Sequence, residues 1–276
     1  VEHPAVLNCA QEITRMGHKV EHIPVDKHGV CDLGKLEAML GEDVHLITLM
    51  QVNNEVGAVQ PIEAVCKLRD QYCPKAAIHV DGVQGFLRVP FDMRLADLYT
   101  VSSHKLHGPK GVGALYISDR VRNPKPLLSG GSQENGLRSG TEAMPQIAAF
   151  AAAAGERMAN FKENCAKMAA LREKLLEKAR ELGCQINTPA NCAPHIVNLS
   201  PCVGRSEVYI RVLSDQNIYV SGGSACSRGK KSHVLTAMRV SGKNADAALR
   251  VSLCPESTEE DIDAFLAALS AAKKMF

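Results

Sequence analysis

The sequence has no tryptophan, few aromatic residues and no excess of either charge, and each shortage narrows the reading. With 45% hydrophobic residues but only 4% aromatic ones in 276 residues, the core must be mainly aliphatic and alanine-rich. A net charge of +2 leaves no electrostatic footprint for nucleic acid or for an acidic membrane surface. No apolar run approaches the roughly 20 residues that a membrane-crossing helix needs. Ten cysteines are present, yet no two stand at CxxC spacing. A chain of this length has core enough to fold without disulfide staples. Most of its cysteines, such as Cys66 on a helix-like segment, are therefore expected as small buried hydrophobes in a reducing cytoplasm. Two glycine-bearing runs, Gly130-Gly131 and Gly108 to Gly113, lack both the P-loop lysine spacing and the dinucleotide fingerprint. No metal site is expected.

What is present is an alternation of helix and strand patterns. Pro4 to Met16 reads as a helix with proline in its first turn and Gly17 as its stop. His18 to Val25 alternates like a strand, and Asp32 can cap a short helix through Leu40. His45 to Val52 is a nearly continuous apolar run, as expected of a strand buried on both faces of a parallel sheet. Pro61 opens a helix to about Tyr72. Strand-like runs follow at Ala76 to Val80, Leu98 to Val101 and Gly111 to Ser118. From Gln146 to Leu182 the chain is rich in alanine, lysine and glutamate and reads as one long helix or two consecutive ones. Beyond it come strands at His195 to Ser200, Ile218 to Val220 and Ala248 to Leu253, and a helix at Ser206 to Ser214. The last helix starts at a capping-box pattern, Ser257-Thr258-Glu259-Glu260, and ends at Lys273 and Lys274. The expected fold is α/β, a layered, mainly parallel sheet in a large domain over 1–150 followed by a connecting helix and a small C-terminal domain over 151–276.

In such folds ligands bind at the carboxyl ends of the strands. Two strand ends stand out. One delivers Asp81, and the other delivers Ser102-Ser103-His104-Lys105 into a turn closed by glycine and proline. Taken alone, a lysine there is an ordinary solvated residue, and an aspartate beside it an ordinary salt-bridge partner. Together they suit a cofactor that needs a carboxylate at a ring nitrogen and an amine at an aldehyde, which is the requirement of pyridoxal 5'-phosphate.

The motifs Glu2-His3, Val52-Asn53-Asn54-Glu55, His79-Val80-Asp81 with Gln84, Ser103-His104-Lys105 with Gly108-Pro109-Lys110-Gly111, Arg138-Ser139-Gly140-Thr141, and Ser221-Gly222-Gly223-Ser224-Ala225-Cys226 follow one another along nearly the whole chain. In that order they resemble the cysteine desulfurases of the aminotransferase class V family, within the fold-type I pyridoxal-phosphate enzymes. The resemblance implies that Lys105 holds the cofactor aldehyde, Asp81 its pyridine nitrogen, and that His3 stacks on its ring. It further implies that Asn54 and Gln84 hydrogen-bond the phenolic oxygen, and that Ser102 and His104 contact the phosphate. Thr141 resembles the threonine that reaches the phosphate of a neighbouring subunit, so a homodimer is implied. Without the resemblance, His3 would pass for a helix-terminus histidine, and Asn54 and Gln84 for loop amides.

Cys226 sits among small residues and near Arg228, Lys230 and Lys231, cations that favour thiolate over thiol. By resemblance it is the nucleophile that takes sulfur from L-cysteine as a persulfide, releasing alanine, and passes it to an acceptor protein such as an iron-sulfur scaffold. Arg250, inside the apolar run Leu249 to Leu253, demands an anionic partner and resembles the arginine that clamps the substrate carboxylate, a role in which Asn54 shares. The segment from Cys226 to Ser232-His233-Val234-Leu235 is shorter than in family members that feed iron-sulfur scaffolds, which leaves the acceptor open. The chain does not begin with methionine, no signal peptide is visible, and the resemblance implies an absent N-terminal portion that helps hold the phosphate. Three readings follow: a cysteine desulfurase; a related class V aminotransferase or selenocysteine lyase, of which an aminotransferase has no need of Cys226; or a non-catalytic fragment that binds no cofactor.

Overall fold

A computed structural model describes residues 1–126, 128–222 and 231–276. Its elements in chain order are α1 (Pro4–Arg15), α2 (Leu33–Met39), β1 (Leu46–Met50), α3 (Ile62–Tyr72), β2 (Ala77–Asp81), β3 (Leu98–Ser102), β4 (Gly113–Ile117), α4 (Met144–Ala159), α5 (Phe161–Glu181), β5 (Gln185–Ile186), β6 (Ile196–Ser200), α6 (Ser206–Ser214), β7 (Ser221–Gly222), α7 (His233–Ala237), α8 (Gly242–Asp246), β8 (Leu249–Ser252) and α9 (Glu259–Lys273). They fall into two compact units. One comprises Leu40–Gln51 and Val65–Phe161; the other comprises Val1–Met39, Val52–Ala64 and Lys162–Phe276.

The first unit is built on a sheet of order β1-β2-β3-β4. β1, β2 and β3 run parallel, and β4 closes the order antiparallel to β3. Ile47, Leu49, Ile78, Val80 and Tyr99 on these strands are all buried, in keeping with the continuous apolar runs that encode them. The amino ends of β2 and β3 are pinned by a polar cluster. Arg69, in the last turn of α3, donates from Nη1 to Asp97 Oδ2 at 2.9 Å and to the Ala76 carbonyl at 2.9 Å. The backbone N–H of Ile78 donates to the same carboxylate at 2.8 Å, and Arg120 Nε lies 3.0 Å from its other oxygen. This cluster leaves the carboxyl ends of the strands as the open end at which function can be placed.

The second unit carries a sheet of order β5-β6-β8-β7, antiparallel throughout. Leucines 171, 175 and 176 of α5, Tyr209 and Leu213 of α6, and Ile262, Phe265 and Leu269 of α9 pack with Val197, Leu199, Leu249 and Val251 of the strands into one core. Each fully buried leucine there contributes about 1.5–3 kcal/mol. A smaller cluster joins Val56 and Ala58 to Val234, Leu235 and Met238 of α7 and its C-terminal flank.

Several expectations need correction. Val1–Met39 and Val52–Ala64 do not group with the parallel sheet as a 1–150 domain would require. Ala58 bridges to Cys192, and the Asn198 side chain donates from Nδ2 to the Glu55 carbonyl at 3.1 Å, which ties Val52–Ala64 into the second unit. His18 to Val25 forms no strand; its one pairing is an isolated bridge from Val25 to Cys31. Alternation encodes two unlike faces, but a strand also needs a partner edge. The strand expected at Ile218 to Val220 begins instead at Ser221, opposite Arg250. Of the two readings left open for Gln146 to Leu182, the structure has two consecutive helices, parted at Asn160. At α9 the capping box is closed by Asp261 with Thr258 rather than by Glu260.

Candidate active site

In the first unit, the parallel ladder places Asp81 directly opposite Thr100. β2 therefore ends beside β3 just where β3 hands over to the 3-10 turn Ser103–Leu106. That turn ends at His107, which adopts φ 64 and so breaks the strand direction. The geometry brings Asp81, Ser102, His104 and Lys105 to one end of one sheet, as the strand-end reading expects. Asp81 is buried, and its Oδ1 accepts from the Val83 N–H at 3.0 Å, which fixes the carboxylate at the start of the following turn. The next residue has to be glycine. A Cβ on Gly82 would lie 2.0 Å from the buried Tyr99 ring, whose hydroxyl donates to Gln51 Oε1 at 2.5 Å.

Two residues before Asp81, on the same face of β2, His79 spans the sheet. Its Nδ1 lies 2.6 Å from Thr48 Oγ1 on β1, and its Nε2 lies 2.9 Å from Thr100 Oγ1 on β3. Burial lowers its pKa, with the Asp81 charge opposing, so the ring is held neutral at physiological pH as a cross-strand tie.

The charges that act on His104 are of one sign. Ser102 Oγ and His104 Nδ1 are hydrogen-bonded at 2.8 Å. Burial and then the charges of Lys105, Lys110 and Arg88 hold the pKa of His104 below the usual imidazole value. A neutral imidazole and a hydroxyl within a cationic field suit an oxyanion ligand such as a phosphate. Arg88, which no sequence motif singled out, ties the site together. Its Nη1 donates to Gln84 Oε1 at 3.0 Å, and its Nη2 donates to the Lys105 carbonyl. Only the four-residue step from Gln84 hinted at it. Thr141 is exposed on the loop that follows the Leu128–Arg138 bridge.

The second unit holds the remaining candidates. His3 caps α1, its Nδ1 accepting from the Ala5 N–H at 3.2 Å. Asn54 follows Asn53, whose Oδ1 accepts from the N–H groups of Glu55 and Val56 at 2.9 and 3.0 Å. Arg250 is half-buried on β8; its Nη1 donates to the Asn54 carbonyl at 3.0 Å and its Nη2 reaches Ser221 Oγ at 3.4 Å. An arginine in an apolar strand calls for an anion, and the buried carboxylate of Glu55 is close enough for the two charges to interact. Cys226 lies outside the described residues. The nine described cysteines are free thiols. Among the buried ones, Cys31 is pushed up to about 11 by burial, which keeps it protonated and unreactive.

Parallel strands that carry Asp81 and the Ser102–Lys105 turn to one sheet end, and a second unit with an arginine on its strand, make an α/β architecture, and the likeness to solved NifS-like structures makes it that of the fold-type I enzymes. The aminotransferase class-V family model matches residues 1–265, and the chain belongs to that family, among its cysteine desulfurases. It is 39% identical to a NifS/IcsS protein homolog of Lactobacillus delbrueckii subsp. bulgaricus over 276 residues, covering 97% of this chain and 71% of the relative. It is 38% identical to a cysteine desulfurase of Nostoc sp. over 270 residues, covering 95% and 67%. A solved structure described as a NifS-like protein superimposes with a TM-score of 0.93 at 38% identity, over 100% of this chain and 74% of that one. The chain thus spans about seven tenths of the length of these relatives.

Proposed function

We propose that the protein converts L-cysteine to L-alanine with pyridoxal 5'-phosphate as cofactor, and carries the released sulfur as a persulfide on Cys226. The observation that supports this best is the pairing of Asp81 with the Ser102–Lys105 turn across adjacent parallel strands. The donor set fits the cofactor: one buried carboxylate, one amine, and a hydroxyl with a neutral imidazole in a cationic field. When bound, the cofactor supplies an electron sink for the substrate's α-carbon.

The protein's own residues do the rest. Asp81 keeps a proton on the ring nitrogen. Lys105 would hold the aldehyde and, when free, would move the substrate's α-proton. Ser102 and His104 bind the phosphate, while His3, Asn54 and Gln84 orient the ring. Arg250 takes the substrate carboxylate. The Cys226 thiolate attacks the substrate sulfur: an S–S bond forms, the substrate C–S bond breaks, and its electron pair stays with the carbon skeleton, which leaves as alanine after protonation. The exchange is redox-neutral.

The family resemblance also supports a homodimer in which Thr141 serves a neighbouring subunit, and a sulfur-acceptor protein as partner, in the cytoplasm. No described helix is long and apolar enough to cross a membrane.

The test is sulfide and alanine release from L-cysteine in the presence of a reducing thiol. Equal amounts of the two products are expected. Cys226→Ala should lose sulfur transfer while keeping the visible absorbance of the bound cofactor. Transfer of the amino group to a keto acid, undiminished in Cys226→Ala, would point to an aminotransferase instead.

A further inference from the structure

Glu55 is the most deeply buried acid among the described residues, 1% exposed, and nothing in the reaction above uses it. Burying a carboxylate is costly unless its charge is met, so its surroundings carry information. Its Oε2 accepts from Ser232 Oγ at 2.5 Å, and the same hydroxyl caps α7 by accepting from the Leu235 N–H at 3.0 Å. Its own N–H is held by Asn53 Oδ1 and its carbonyl by Asn198 Nδ2. Asn198 lies directly opposite Arg250 in the β6–β8 ladder, and Arg250 in turn holds the carbonyl of Asn54, the residue before Glu55. Arg250 and the backbone of Asn54 and Glu55 are therefore joined by hydrogen bonds within the second unit, and the Glu55 carboxylate is close enough to the Arg250 guanidinium for the two charges to interact.

Resting on the reading of Arg250 as the substrate-carboxylate clamp, we propose that Glu55 is a positioning residue linked to the occupancy of that clamp. With the site empty, Glu55 is ionised and shares the charge of Arg250; when a substrate carboxylate docks on Arg250, Glu55 takes up a proton. The physical reason is that one guanidinium cannot fully meet two carboxylates in a buried setting, and the one without solvent access is the one to be neutralised.

The starting point suits such a device. Burial raises the Glu55 pKa from 4.5 to about 6, opposed by the Ser232 hydrogen bond and then by Arg250. Among the described side chains, the charge that acts on it is that of Arg250 on β8. An anion on Arg250 removes one of the influences that hold the pKa down. A rise of one unit would take up about half a proton per ligand near pH 6.5 and weaken carboxylate binding about fivefold between pH 6 and pH 8. The sign is that of an acid with a raised pKa in the bound state: binding favours the protonated form and loses strength as pH rises.

The test is calorimetric titration of the holoenzyme with 3-mercaptopropionate, which carries the carboxylate and thiol but lacks the amine. It is run in two buffers of different ionisation enthalpy at pH 6.5, and then across pH 6–8. The wild type should take up about half a proton, and Glu55→Gln, which keeps a hydrogen-bond acceptor for Ser232, should take up none and bind with a flat pH profile. Absence of proton uptake in the wild type overturns the proposal whether or not any variant folds, as does uptake that persists unchanged in Glu55→Gln. Arg250→Gln separates the underlying reading. If it binds the ligand as tightly as the wild type, the clamp assignment itself is wrong; if it loses binding while the wild type shows no uptake, only the role of Glu55 is wrong.

Discussion

Replacing Asp81 with asparagine is expected to lower turnover roughly 10²- to 10⁴-fold, equivalent to about 3–5 kcal/mol of lost transition-state stabilisation. Asparagine retains an acceptor for the Val83 N–H, so the turn that begins there should survive. What it would remove is the negative charge proposed to hold a proton on the cofactor ring, and without that proton the ring would be a far weaker electron sink. Steady-state alanine formation measures the loss, and a circular dichroism spectrum and melting curve unchanged from the wild type would show that the effect is chemical. A variant with near-normal turnover would remove Asp81 from the mechanism.

The largest effect on stability is expected at the other end of the same strands. Asp97 is 4% exposed and accepts from Arg69, from the Ile78 N–H and, at its other oxygen, from Arg120 and Ser118. Asp97→Ala would leave the buried Arg69 guanidinium with only the exposed Asp70 carboxylate, 2.6 Å from its Nε, and the Ile78 N–H without an acceptor. Breaking one side of a buried pair costs about 3–5 kcal/mol, a large share of the roughly 5–15 kcal/mol by which a folded domain is stable. Chemical denaturation should show the midpoint falling accordingly. Asp97→Asn should cost less, because it keeps an acceptor for Ile78 while giving up the charge. The exposed pair of Lys178 and Glu181, 3.0 Å apart at the end of α5, offers the contrast: its removal should change little.

Much of the fold could be read from the sequence because it is carried by local signals. The apolar run His45 to Val52 and the Pro61 helix start each map onto a single element, β1 and α3. The strand-end rule then sufficed to bring Asp81 and Lys105 together, since in a parallel sheet the chemistry-bearing ends of successive strands share an edge. What could not be read depends on long-range pairing. Nothing local in Val52–Ala64 says that it groups with a unit whose sheet begins more than a hundred residues later; that follows from the bridge of Ala58 to Cys192 and from the Asn198 side chain reaching the Glu55 carbonyl. Arg88 and Glu55 were missed for the same reason. Arg88 shows its role only through its bonds to Gln84 and Lys105, and Glu55 only through Ser232, 177 residues away.

The central claim, that Lys105 is the residue on which the cofactor is held, has a direct test. The protein, reconstituted with pyridoxal 5'-phosphate, is reduced with borohydride, digested and analysed by mass spectrometry. A single phosphopyridoxyl group on Lys105, in the peptide that also contains Ser102 and His104, is the expected result. A label on Lys110 instead, or no label on any lysine of cofactor-replete protein, would contradict it.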